Sequence, residues 1–167
     1  MCHPRGVEGS GHHDRVGRSY DAVAGKYADA YGGELAGKPL DRALLACLIE
    51  QAGQGAPIAD IGCGPGHIAA WIAGHGRAAV GIDLSAGMVA AASRAYPDAE
   101  FREGDFLDLP ARDGEFGAVV AFYSIILASL PRPSGRPAVC CGPAASCWFP
   151  STSVPKSGTW NNGGART

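Results

Sequence analysis

The spacing of hydrophobic positions changes along this chain, from a helical period to an alternation of short apolar strands and helices. Residues 18–33, which read RSYDAVAGKYADAYGG, carry tyrosine, valine and alanine at helical spacing before two glycines. Residues 38–53 open with Pro39 near the first turn, carry leucine and isoleucine at helical spacing, and end at Gly53. The pattern predicts two amphipathic helices, preceded by a flexible polar leader over residues 1–17.

Strand-like and helix-like segments alternate from residue 57 to residue 124. In order, these segments read PIADIG, HIAAWIAGHG, AAVGIDL, AGMVAAASRAYP, AEFREGD and FGAVVAFYS. Strands that are apolar throughout are covered on both faces, and strands separated by helices pair in parallel. We therefore predict an α/β fold with a Rossmann-like, doubly wound and mostly parallel sheet that is incomplete at its C-terminal side.

Composition and charge exclude several classes of partner. The formal net charge of −2 and the pI near 6.2 give no basic footprint for nucleic acid. The longest apolar run, residues 116–130, is shorter than the roughly 20 residues that cross a bilayer, and residues 1–18 lack the apolar stretch of a secretory signal. None of the six cysteines forms a C-x-x-C pair, so no metal site is predicted. These features favour a cytoplasmic protein that binds neither nucleic acid nor membrane.

A glycine-rich loop at residues 62–66 is the strongest functional signal in the sequence. It follows a strand and precedes a helix, where glycines allow a backbone to approach a ligand closely. No lysine follows the loop, as a nucleoside triphosphate site requires, and His67 stands where a dinucleotide fingerprint has glycine. Asp60 would repel a pyrophosphate but attract an ammonium group, and Asp83, 23 residues later, has the position of a ribose-binding acid. The ligand is therefore a nucleoside with a cationic group, and S-adenosylmethionine fits that description.

Four motifs in succession resemble one protein family. IADIGCGPGH, GIDLSAGMVAAA, GDFLDLP and FGAVVAFYSII are similar to motifs of class I S-adenosylmethionine-dependent methyltransferases, and the two leading helices resemble a bacterial small-molecule branch of them. The resemblance covers residues 18 to about 133 and implies S-adenosylmethionine as cofactor and a small molecule as methyl acceptor. Direct transfer from a sulfonium needs no dedicated acid–base pair, so the resemblance leaves the catalytic residues and the acceptor unidentified.

The resemblance also implies which residues bind the cofactor. These are Asp60, Gly62, Cys63, Gly64 and Gly66 around the methionine part; Asp83, Leu84, Ser85 and Met88 on the ribose side; Asp105 and Phe106 beside the adenine; Ala121 near the amino group; and Tyr20 and Tyr27 on a lid helix. Several of these residues have a structural alternative: Met88 as core, Asp105 as a turn residue, and the tyrosines as packing. His67 is interpreted as a helix-start residue rather than a catalytic base.

The tail over residues 134–167 does not fit the preceding domain of residues 18–133. It has no hydrophobic period and is rich in glycine, proline, serine and cysteine, which predicts an irregular segment. If its codons are read from their third base, Cys140-Cys141 forces Leu, Cys147-Trp148 forces Leu and Trp160-Asn161 forces Glu. Allowed choices elsewhere yield an LRPGG-type turn and an apolar strand, as the family has there. We therefore interpret the tail as the product of a frameshift near residues 128–138.

A frameshifted tail would have physical consequences for the domain. The strand at residues 116–123 would lose its outer neighbours, leaving an open edge and one flank of the site missing. Weak or absent turnover is therefore expected from this chain. Two alternatives stay open: a non-catalytic module that retains S-adenosylmethionine, and a nicotinamide-dependent oxidoreductase.

Overall fold

The strands form one parallel sheet whose order places β1 at its centre. The computed structural model describes residues 10–52, 55–105, 108–124 and 141–148. The strands are β1 (Ile58–Ile61), β2 (Ala79–Asp83), β3 (Glu100–Glu103), β4 (Phe116–Val120) and β5 (Cys141–Trp148), in the order β3-β2-β1-β4-β5. Every neighbouring pair is parallel. The chain runs outward from β1 to β3 and then returns to β4 on the other side of β1, which is the doubly wound switch point at which such sheets bind ligands.

The helices occur in the predicted order along the chain, but the bounds of the N-terminal helices differ from the prediction. They are α1 (Ser10–Asp21), α2 (Ala24–Tyr31), α3 (Pro39–Gln51), α4 (His67–Gly74) and α5 (Ala86–Ala95), with a 3₁₀ turn over Glu34–Gly37. The single helix predicted over 18–33 is two helices, and the first begins inside the predicted flexible leader. A Cβ on Gly17 would lie 3.5 Å from the carbonyl oxygen of Leu84. This close approach to the β2–α5 connection is a tertiary contact that local sequence does not reveal.

The larger core lies between the sheet and α3 and α4. Its fully buried members share aliphatic character and come from both sides of the switch point: Leu45, Ile58, Ala69, Ile72, Ala118 and Val120. The opposite face of the sheet carries a second cluster that includes Ile61, Ile82 and Phe116. Since β1 is buried along its whole length, the sheet fixes where its carboxyl end points.

Strand β5 pairs in parallel with the outer side of β4, at the edge that the sequence analysis expects to be open. Its register against β4 shifts between Phe116, which pairs with Cys141, and Ala118, which pairs with Ser146. Pro143, inside that shift, has no N–H to donate, and proline in sheets is confined to edge strands and irregularities of this kind. The backbone groups along the outer side of β4 need partners whatever the composition of the segment that supplies them. The rest of residues 134–167 lies outside the described part of the chain, and the frameshift stays a prediction.

Candidate functional site

The glycine loop adopts a conformation that only glycine takes without strain. Gly62, Gly64 and Gly66 have φ angles of 68°, 51° and 82°. A Cβ on Gly62 would lie 2.2 Å from the Cβ of Ser124, and one on Gly66 would lie 2.6 Å from the ring of Phe101. The N–H of Gly62 donates to the carbonyl oxygen of Ile82 across 2.7 Å, which ties the loop to β2. The loop is therefore a tightly seated turn at the carboxyl edge of the sheet.

Asp60 presents a buried carboxylate oxygen beside this loop. The residue is 1% exposed, and the N–H of Ala69 in α4 donates to its carboxylate. The second oxygen, Oδ2, has no hydrogen-bond partner in the part of the chain that the structure describes. Burial raises the pKa of Asp60 to about 7, the Ala69 N–H opposes that shift, and the charge of Asp83 adds to it. A buried acceptor without a partner is costly, so this oxygen fits a ligand that supplies a donor or a positive charge.

Two more buried polar atoms without partners lie near the glycine loop, in the crevice at the switch point of the sheet. Among the described residues, Oγ of Ser124 and Nδ1 of His67 share this property with Asp60 Oδ2. Ser124 follows β4 and packs against Gly62, whereas His67 begins α4 directly after the loop. The three side chains come from three elements that meet at the switch point. Their convergence indicates a ligand site with several polar contacts.

Asp83, at the end of β2, holds the glycine loop. Its Oδ2 accepts the N–H of Gly64 across 2.8 Å, and its Oδ1 accepts the N–H of Ser85 across 2.9 Å. Burial raises the pKa of Asp83, while the backbone N–H groups of Ser85 and Gly64 oppose that shift. The backbone N–H of Leu84 also lowers this pKa through a hydrogen bond, and the carboxylate still has lone-pair capacity for a ligand hydroxyl.

The structure gives Ser85 and Met88 structural roles. The Ser85 hydroxyl accepts the N–H of Met88 across 3.1 Å, which caps α5, and it donates to Oδ1 of Asp21 across 2.5 Å. Ser85 and Met88 are each 1% exposed. Their predicted contact with the ribose and adenine stays a prediction, as does that of Leu84.

The other predicted site residues differ in how closely they approach the loop. The ring of Tyr27 would lie 3.9 Å from a Cβ on Gly64, and Tyr20 meets Tyr27 edge to face at 6.2 Å between ring centroids. Cys63 is buried in the loop, and Ala121 is buried directly after β4. Asp105 forms an isolated antiparallel bridge with Asp108, which agrees with the alternative that Asp105 is a turn residue. Phe106 lies outside the described residues.

Three residues at the crevice were absent from the predicted cofactor-binding set: His67, Ser124 and Glu34. Nε2 of His67 lies 3.2 Å from Oε1 of Glu34, which belongs to the 3₁₀ turn. Lys38 forms a 2.8 Å ion pair with the other oxygen of Glu34. No sequence signal pairs Glu34 with His67, because their proximity depends on how the 3₁₀ turn packs. Ser124 could have been inferred from its place four residues after the end of β4, a strand that ends at the crevice.

The donor set at the crevice suits an organic cation. Within the residues that the structure describes, no three His, Cys, Asp or Glu side chains are grouped as metal ligands. The unpaired Asp60 oxygen suits the ammonium group of S-adenosylmethionine, and the remaining lone-pair capacity of Asp83 suits its ribose hydroxyls.

Comparisons with known proteins agree with this geometry. A sequence model of the methyltransferase-domain family matches residues 58–138. Residues 58–138 are therefore similar to a methyltransferase domain. A curated relative, demethylmenaquinone methyltransferase of Beutenbergia cavernae, is 38% identical over 71 residues, which are 42% of this chain and 30% of that protein.

Solved methyltransferase structures share the fold. Magnesium protoporphyrin IX methyltransferase from Synechocystis PCC 6803, solved with bound SAM, superposes with a TM-score of 0.58 and 17% identity over 74% of this chain and 66% of that one. Geranyl diphosphate methyltransferase, in complex with GPP and sinefungin, gives a TM-score of 0.50 and 19% identity over 66% and 55%. The chain thus spans less than a third of the curated relative and about half to two thirds of these two structures. The predicted fold class and the resemblance to class I S-adenosylmethionine-dependent methyltransferases are confirmed.

In the part of the chain that the structure describes, none of the helices combines the length and the apolar character that crossing a membrane requires.

Proposed function

We propose that this chain binds S-adenosylmethionine at the switch-point crevice and that the intact domain transfers its methyl group to a small-molecule acceptor. One observation carries the proposal: Oδ2 of Asp60 is buried at the glycine loop without a partner. An amino-acid ammonium group supplies both the charge and the donors that this oxygen lacks. The family assignment and the shared fold support the same cofactor.

Each part of the cofactor has residues that suit it. Asp60 would accept from the ammonium group, and the loop of Gly62, Gly64 and Gly66 would lie against the methionine part. Asp83 would accept from the ribose hydroxyls. When bound, the cofactor supplies a methyl group on a positively charged sulfur, which is already a good leaving group. The protein's contribution is then to align the acceptor and exclude water, and Tyr27 over the loop is placed to help exclude it.

The alternative of a nicotinamide dinucleotide is disfavoured by charge. A pyrophosphate at this loop would face the carboxylate of Asp60, which is 1% exposed and has no cationic partner among the described residues. His67 also fills the position at which the dinucleotide fingerprint has glycine. Fluorescence titration with NADH tests this alternative: saturable binding that S-adenosylmethionine does not compete would replace our proposal.

Calorimetric titration of the 167-residue chain with S-adenosylmethionine and its demethylated product, S-adenosylhomocysteine, tests the cofactor proposal directly. We expect saturable binding of both, and no binding of either would refute the proposal. Asp60→Asn should weaken binding, whereas Asp98→Asn, at an exposed turn before β3, should not. Binding without turnover would support the alternative of a non-catalytic remnant.

We propose weak or no turnover for the chain as given, because its tail departs from the family pattern. Sequencing the coding DNA across codons 125–167 tests the cause. An open third-base frame that encodes the expected turn and strand would support the frameshift, and the repaired protein should then methylate more strongly. Robust methylation by the present chain would contradict the proposal. The acceptor class and a cytoplasmic location belong to the same proposal and rest on the sequence alone.

A further inference from the structure

A histidine–glutamate pair lies directly beside the glycine loop, and cofactor binding alone assigns it no role. His67 is the first residue of α4, and its Nε2 lies 3.2 Å from Oε1 of Glu34. The side chain of His67 is 10% exposed. Its other nitrogen, Nδ1, is buried and has no hydrogen-bond partner in the described ranges of the chain. A side chain this buried with one nitrogen unused indicates a ligand group that approaches Nδ1.

The partner of Nε2 fixes which nitrogen carries the proton. A carboxylate accepts hydrogen bonds only, so Nε2 donates to Glu34 and Nδ1 keeps a free lone pair. Burial lowers the pKa of His67, the carboxylate of Glu34 opposes this, and the ammonium group of Lys38 adds to it. The imidazole is therefore neutral near pH 7 and able to accept a proton at Nδ1. Lys38 itself forms an ion pair with the other oxygen of Glu34 at 2.8 Å.

The pair belongs to the same crevice as the cofactor residues. Tyr27 lies over the glycine loop, with its ring 3.9 Å from the Cβ position of Gly64. Burial is the largest cause that raises the pKa of the Tyr27 hydroxyl, and the charges of Glu34 and Asp83 both add to it. The Glu34 and Asp83 carboxylates thus both lie within electrostatic reach of one hydroxyl at the glycine loop.

We propose that His67 is the catalytic base of the domain and Glu34 its positioning residue, which limits the acceptor to a nucleophile that carries a proton, such as a hydroxyl or an amine. The proposal rests on the proposed function. In the step, the acceptor oxygen or nitrogen forms a bond to the methyl carbon and its proton moves to Nδ1 of His67. The carbon–sulfur bond breaks and its electron pair stays on sulfur, which leaves as a neutral thioether. Glu34 then stabilises the imidazolium through Nε2.

Nitrogen-15 NMR of the imidazole tests the proposal without turnover. In the full chain, free and saturated with S-adenosylhomocysteine, we expect the Nε2–H tautomer with Nδ1 unprotonated. Glu34→Gln keeps a hydrogen-bonding group but removes the charge, so the pKa of His67 should fall. A proton on Nδ1 in the wild type, or an unchanged pKa in Glu34→Gln, would overturn the proposal.

Two acceptors of different chemistry give the activity test. Iodide accepts a methyl group without losing a proton, whereas catechol must lose one. Loss of a general base costs roughly 10²–10⁴-fold, so His67→Gln should lower the catechol-to-iodide rate ratio by tenfold or more. His75→Gln, just past the other end of α4, is the matched control and should keep the ratio. An equal ratio in wild type and His67→Gln would count against the base.

The outcomes separate this inference from the proposed function. Calorimetry with S-adenosylhomocysteine reports cofactor binding, and its absence in the wild type would remove the proposed function. If the chain binds the cofactor but transfers to neither acceptor, a proton on Nδ1 or an unchanged pKa of His67 in Glu34→Gln would still overturn the proposal. If circular dichroism shows that His67→Gln does not fold, the test uses the nitrogen-15 NMR spectra of wild type and Glu34→Gln instead.

Discussion

The N–H of Gly64 donates to Oδ2 of Asp83 across 2.8 Å, so the acid at the end of β2 holds the glycine loop that follows β1. Oδ1 of the same carboxylate accepts the N–H of Ser85 and so also fixes the start of α5. One side chain therefore organises two neighbouring strand ends before any ligand arrives. A site that is ordered in advance loses less entropy on binding.

Asp83→Asn tests this organising role. The amide retains one acceptor oxygen, so one of the two backbone N–H groups loses its partner. Hydrogen bonds to charged groups contribute about 1.5–3 kcal/mol, so binding of S-adenosylhomocysteine should weaken by roughly tenfold or more. Calorimetry measures the affinity, and amide hydrogen exchange at Gly64 should become faster. Unchanged exchange at Gly64 would mean that other contacts hold the loop.

Ser85→Ala tests the cap of α5. The change removes the acceptor for the N–H of Met88 and the donor to Asp21, both of which are made by a hydroxyl that is 1% exposed. Loss of a helix cap of this type costs about 1–2 kcal/mol. Urea denaturation should show that loss in the free energy of unfolding. Ser93→Ala is the control in the same helix, because its exposed hydroxyl bonds only to the carbonyl of Val89; an equal loss in both variants would contradict a specific capping role.

The sequence predicted the fold and the cofactor well, because both depend on local patterns, whereas the cofactor-binding residues stay predictions. The strand–glycine–helix arrangement places Asp60 and Asp83 at adjacent strand ends without any knowledge of distant contacts. The Glu34–His67 pair could not be predicted in this way, because 33 residues separate its members and their meeting depends on the packing of a 3₁₀ turn. Likewise, β5 forms on an edge whose backbone groups need partners, although its own composition gives no strand signal.

Gly62→Ala tests whether the loop tolerates any side chain. The residue has a φ of 68°, and an added Cβ would lie 2.2 Å from the Cβ of Ser124. The left-handed conformation alone costs a non-glycine residue roughly 1–2 kcal/mol, and the steric conflict adds to it. The thermal midpoint should fall and cofactor binding should be lost. Gly74→Ala, where an added Cβ meets nothing within 4 Å, should leave both unchanged or raise the midpoint slightly.

Asp60→Asn tests the buried carboxylate through its pH dependence. Burial raises the pKa of Asp60 to about 7 in the folded chain, whereas its ordinary value is 3.8. Between these two values the folded state binds more protons than the unfolded state, so Asp60 makes the ligand-free protein less stable as pH rises from about 4 to 7. Asp83, whose pKa is also raised, acts in the same direction, and His67, whose pKa is lowered, acts in the opposite direction at acidic pH. Urea denaturation between about pH 4 and pH 7 measures the free energy of unfolding, and the difference between wild type and Asp60→Asn isolates the contribution of Asp60.

Ligand binding should show the reverse dependence at the same carboxylate. The ammonium group of S-adenosylhomocysteine needs the ionised carboxylate, so this ligand should bind more tightly as pH rises from 5 to 7, with release of a proton below pH 7. Calorimetry in buffers of different ionisation enthalpy counts that proton. In Asp60→Asn the affinity should be lower, and the part of its pH dependence that comes from Asp60 should disappear. Proton release that persists unchanged in the variant would assign the titration to another group, with Asp83 the next to test by Asp83→Asn.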